Sequence, residues 1–141
     1  MSLHRLSCEL PAAARSVTEA RRFVLTALRR WGCDDLADTA ALLTSEVVTN
    51  SILHARTPVK LAVIQLSDGV RVEVTDGSPR KPTLRVTSGD ATNGRGMALL
   101  EELATTWDVK VEGNGKTLSF TISGSVDPWV AYTGAEWSVE R

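Results

Sequence analysis

The sequence holds no apolar run near the roughly 18 residues that a membrane-spanning helix needs. Its first residues lack the apolar core of a signal peptide, so the reading is a chain that stays in the cytoplasm. Only two cysteines occur, Cys8 and Cys33, and they form no CxxC pair. Two cysteines in 141 residues make no disulfide framework, and reduced thiols are expected. Charge of either sign is not in excess: the formal net charge is -1, which excludes a general pull towards nucleic acid or an acidic membrane. Any anion site must be local. Internal repeats and a clear domain boundary are also missing. What remains is one domain of ordinary composition, 43% hydrophobic and 23% charged, long enough to bury a core.

Along the chain the hydrophobic period changes several times. Residues 4–10 alternate as a short strand that Pro11 ends. From Ala12 to about residue 31, Val17, Ala20, Val24, Ala27, Leu28 and Trp31 recur at helical spacing, and Gly32 stops the helix. The other faces carry Arg15, Arg21, Arg22, Arg29 and Arg30, either a solvated surface or a stripe that faces a partner. Asp34 or Asp35 can cap a second helix, which runs to about His54–Arg56 ahead of Pro58. Val59–Leu66 and Val70–Thr75 then read as strands about a Ser67-Asp68-Gly69 turn. Residues 76–96 are poor in apolar side chains, as a functional lid would be. Met97, Leu99, Leu100 and Leu103 suggest a short helix. Trp107–Val111 and Thr117–Ser123 form a second hairpin across Glu112–Lys116. This order predicts an α+β two-layer sandwich: a mixed, mostly antiparallel sheet with about three helices on one face. Residues 1–123 make the domain. Residues 124–141 read as a loosely ordered tail that Trp129, Tyr132 and Trp137 could dock on a surface.

Four places can carry chemistry. Glu46 and Asn50 are four residues apart in a helical run, so both face one space. A carboxylate beside an amide oxygen suits a hard cation and the activation of a hydroxyl. Alternatively the two form a solvent-facing stripe, with His54 at the helix end. Asp76 leaves a strand into Gly77-Ser78-Pro79, either as turn chemistry or as a buried acceptor for an exocyclic amine. Asn93-Gly94-Arg95-Gly96-Met97 opens a helix, where permissive glycines and helix N–H groups cradle anions. Arg95 could add charge there, as could Arg80, Lys81 and Arg85. Gly113-Asn114-Gly115-Lys116-Thr117 only imitates a P-loop: position 110 is Lys110 where a glycine is required, and the segment joins two strands.

Taken in order, Glu46-x-x-x-Asn50, Asp76-x-Ser78, Gly94-x-Gly96 and late Thr117 resemble the GHKL (Bergerat-fold) ATP-binding superfamily. The closer likeness is to its single-domain anti-sigma factor serine/threonine kinases. The segments 46–55, 72–79 and 93–100 are similar to the N, G1 and G2 boxes, and the likeness spans about residues 4–123. The resemblance implies ATP and Mg²⁺ as cofactors, with Asn50 on the metal and Glu46 as the catalytic base. Asp76 would take the adenine amine, with Ser78 in its turn. Gly94, Arg95 and Gly96 would meet the phosphates under a lid over 79–94, and Thr117 would support adenine. It implies a sigma factor and an anti-anti-sigma (STAS-type) protein as partners, and a homodimer, with no direct contact to nucleic acid or membrane. A nucleotide-dependent binding module without phosphoryl transfer is the alternative. A fuller G1 box reads Asp-x-Gly-x-Gly, whereas here Ser78 and Arg80 take the glycine places.

Overall fold

The computed structural model of the chain describes residues 2–80 and 98–123. Strand β1 (Ser2–Leu10) leads into helix α1 (Arg15–Arg30) and helix α2 (Asp34–His54). Strands β2 (Val59–Leu66) and β3 (Gly69–Asp76) follow as a hairpin. A third helix, α3, is described over 98–103, and β4 (Thr106–Glu112) and β5 (Gly115–Ser123) close the chain as a second hairpin. The five strands lie in the order β1-β2-β3-β5-β4, and each described pairing is antiparallel rather than mixed.

Alternation along the strands separates two faces. Val59, Leu61 and Val63 of β2, Val70, Val72 and Val74 of β3, and Leu118, Phe120 and Ile122 of β5 face the helices and are buried. Ala20, Val24, Ala27 and Leu28 of α1, Leu43, Val47 and Val48 of α2, and Leu100 of α3 join them in one core. Each large side chain buried there contributes about 1.5–3 kcal/mol. The opposite face carries Arg71, Glu73, Thr75 and Thr117, with Arg71 Nε 3.0 Å from Glu73. This is the two-layer α+β sandwich that the sequence predicts.

Local chemistry sets the boundaries. α1 begins at Arg15 rather than Ala12, because Pro11–Ala14 forms a turn closed by Ala13 N–H to the Pro11 carbonyl (2.8 Å). Ser16 Oγ also donates to that carbonyl (2.6 Å). Cys33, not an aspartate, precedes α2, and no side chain caps it. Asp34 and Asp35 lie in the first turn and act on the helix dipole instead. α2 ends where Arg56 takes a left-handed φ of 58°, a conformation costing about 1–2 kcal/mol outside glycine. The second hairpin turns on Gly113 and Asn114 alone, since Glu112 pairs with Gly115. Gly113 carries the positive φ (60°), and Gly115 and Lys116 are strand residues, not turn residues as the sequence reading has them.

Cys8 and Cys33 are unpaired thiols. Burial pushes both thiols up from their ordinary range, with the Glu19 charge adding to Cys8 and the Asp35 charge to Cys33. No described helix is long and apolar enough to cross a membrane.

Candidate functional site

α2 is the inner helix. It buries Leu36, Ala40, Leu43, Val47 and Ser51 along one side and Ala37, Ala41, Thr44 and Val48 along another. The strip left over runs Leu42, Glu46, Asn50, Leu53 at helical spacing. Glu46 and Asn50 are half-buried in it, whereas Leu42 and Leu53 at either end are 41% and 52% exposed. Glu46 also borders a groove of about 520 Å³ between α1 and α2, together with Arg21, Leu25, Ser45 and Thr49. The pair is therefore neither core nor a plain charged surface. It sits where a large ligand or a partner can reach it.

Asp76 is the last residue of β3 and continues the core-facing series Val70, Val72, Val74. Its residue exposure is only 4%. Across the ladder it pairs with Lys116 of β5. Lys116 Nζ lies 2.9 Å from both carboxylate oxygens and donates also to the Ser78 carbonyl at 3.3 Å. The Ser78 amide donates to Asp76 Oδ1 at 3.0 Å, the contact that the turn reading expects, and the carboxylate is buried. Gly115 makes this approach feasible: a Cβ there would stand 2.5 Å from the Asp76 carbonyl oxygen.

One hydrogen bond joins the two parts of the site. Gly77 N–H donates to Thr57 Oγ1 at 2.8 Å, tying the turn after Asp76 to the segment that leaves α2. Arg56, in its left-handed conformation, aims that segment. Asn50 lies one turn before the end of α2, and the Thr57–Gly77 hydrogen bond brings the segment that leaves this end beside the turn after Asp76.

The other predicted residues fall differently. Thr117 alternates with Lys116 and so lies on the sheet face away from the helices, where its hydroxyl shares a 2.7 Å hydrogen bond with Thr75. The structure does not bring it to the Asp76 carboxylate. Gly94, Arg95, Gly96 and most of the expected lid lie outside the described residues, as do Lys81, Arg85 and the tail over 124–141. Arg80 is exposed. Lys116 is the site residue that sequence reasoning missed. Its signal was its phase: a lysine two residues before Leu118, Phe120 and Ile122 enters the core unless a charge meets it.

A model of the histidine kinase-like ATPase domain matches residues 10–122, most of the chain. The chain belongs to this family. Within this ATPase domain the match runs from the end of β1 almost to the end of β5, so α2, Asp76 and Lys116 all lie inside it. No curated protein matches the sequence. Among solved structures, the RsbU and RsbW domains of Rv1364c from Mycobacterium tuberculosis align with a TM-score of 0.63 at 18% identity. That alignment covers 85% of this chain and 32% of the other, so the chain spans about a third of that protein's length. The histidine kinase AdeS of Acinetobacter baumannii aligns with a TM-score of 0.48 at 14% identity, over 87% of this chain and 70% of that one. At 18% identity the likeness to the first of these is one of fold alone. Membership of the ATPase domain family implies ATP binding.

The donor set suits Mg²⁺ held largely by a nucleotide. Among the described residues no three His, Cys, Asp or Glu side chains gather into a cage of their own. Mg²⁺ is commonly held by one or two protein oxygens with phosphates and water completing the shell. A half-buried amide oxygen on Asn50 fits that demand.

Proposed function

We propose that this ATPase domain is a protein serine/threonine kinase of the anti-sigma type. The observation that carries the reading is the arrangement joined by the Thr57–Gly77 hydrogen bond, with Glu46 and Asn50 on the helix side and a buried carboxylate on the strand side. The base of ATP sits at Asp76 and the triphosphate runs towards α2. Asn50 would hold Mg²⁺, which supplies neutralisation of phosphate charge. Glu46 accepts the proton of the attacking hydroxyl as its oxygen bonds to the γ-phosphorus. The bond to the β,γ-bridging oxygen breaks, and ADP leaves. Phosphoryl transfer needs mainly positioning and charge stabilisation, so a sparse set of groups suffices.

A protein acceptor is supported by the exposed Leu42 and Leu53 that flank the pair, and by the groove beside Glu46. The order of the motifs supports an anti-anti-sigma (STAS-type) protein as that acceptor and a sigma factor as the protein held in turn. The fold likeness to a structure containing an RsbW domain is in keeping with this. Incubation with γ-labelled ATP and a STAS-type protein tests it. Label on a serine or threonine of that protein is expected; none, with ATP intact, contradicts transfer.

A second reading is a nucleotide-dependent binding module without transfer. The ion pair of Asp76 with Lys116, and Ser78 in a glycine place, favour it. In that case ATP binds in the same assay and is not consumed.

A further inference from the structure

Lys116 is in phase with Leu118, Phe120 and Ile122 on the helix-facing side of β5, and its residue exposure is 9%. A lysine in such a place is costly to desolvate unless a charge meets it. Asp76, its direct ladder partner, does so. The ammonium has three protons, and it has three acceptors within reach: both oxygens of Asp76 at 2.9 Å and the Ser78 carbonyl at 3.3 Å. Asp76 in turn accepts the Ser78 amide as well. Three of about four acceptor positions on the carboxylate are thus filled. The Asp76 side chain is 1% exposed, so the fourth is covered.

We propose that Lys116 is a specificity-determining residue of the nucleotide site, an internal cation that competes with the base for Asp76. This rests on the reading that Asp76 receives the exocyclic amine of ATP. Base binding is then an exchange. The amine N–H takes a carboxylate oxygen only as the ammonium swings aside on its flexible stem. A hydrogen bond gained is offset by an ion pair loosened, and no covalent bond changes. The exocyclic amine therefore adds little net affinity, and the triphosphate contacts carry binding. An open buried acceptor rejects a ligand without the matching donor strongly, because the acceptor is left unpaired. With Lys116 in place the acceptor is never unpaired, and that discrimination is blunted.

The test compares Mg²⁺-ATP with Mg²⁺-inosine triphosphate, which carries a carbonyl where ATP carries the amine. Both are titrated by calorimetry into the whole chain and into Lys116→Ala and Lys116→Met, with thermal melting as a check on folding. The wild type should bind the two within about threefold of each other, far below the discrimination of an open acceptor site. Either variant should raise the preference for ATP by about tenfold or more, by tightening ATP rather than by weakening the inosine nucleotide. A merely structural role would move the melting temperature and leave the ratio alone. An unchanged ratio in a folded variant, or a wild-type preference for ATP above about tenfold, overturns the role of Lys116. Should both variants fail to fold, the wild-type ratio decides. Absence of binding by either triphosphate to the wild type and the variants overturns the nucleotide reading itself.

Discussion

The two ends of the site are built on opposite plans. At the sheet end, Asp76 is sealed, and Lys116 and Ser78 supply its partners from within the chain. At the helix end, Glu46 and Asn50 stand half-buried between two exposed leucines, with a groove beside Glu46. The first is a closed electrostatic unit, its carboxylate bonded to Lys116 and Ser78 and 1% exposed. The second is a half-buried strip on the outside of α2. Burial of a carboxylate is thus not evidence that it waits empty for a base. Under the proposed function, the sheet end contributes mainly stability and the helix end the chemistry.

Glu46→Ala gives the largest effect that separates the two ends. Phosphoryl transfer to the acceptor protein should fall about 10²–10⁴-fold, the range for loss of a general base, while Mg²⁺-ATP affinity holds. Undiminished transfer would remove chemistry from the helix end. Asp76→Ala comes next. It leaves the Lys116 ammonium near the core without its carboxylate, and chemical denaturation should show a loss of about 3 kcal/mol, with the lysine's partial exposure keeping it at the low end for a broken buried pair. A loss comparable to a surface change would mean the ion pair is not a closed unit. Gly115→Ala is the mildest. Its new Cβ would press on the Asp76 carbonyl at 2.5 Å, and the strands must part slightly. A loss of about 1–3 kcal/mol is expected from such overpacking, read in the same denaturation series. Neutral behaviour would show that the β3–β5 approach beside Asp76 has slack.

Most of the fold was legible because its signals are periodic. Alternation at Val70, Val72 and Val74 and helical spacing at Ala20, Val24 and Leu28 point directly to the buried faces. Glu46 and Asn50 were legible as a pair for the same reason. The partners of Asp76 were not, since they depend on register between β3 and β5, which lie 40 positions apart at the Asp76–Lys116 pair. The face of Lys116 follows from its alternation with Leu118, Phe120 and Ile122, but only once β5 is extended back to include it. A turn placed across Glu112–Lys116 hides the lysine. The left-handed Arg56 and its effect on Thr57 gave no sequence signal, because arginine is not a residue that announces a positive φ.

Under the proposed function, this chain binds Mg²⁺-ATP through Asn50 at the helix end. Calorimetric titration of Mg²⁺-ATP into the wild type and into Asn50→Ala tests it most directly. Saturable, Mg²⁺-dependent binding by the wild type and none measurable by the variant are expected, with the same thermal melting for both proteins. Equal affinity in the two proteins, or no binding by the wild type, would contradict it.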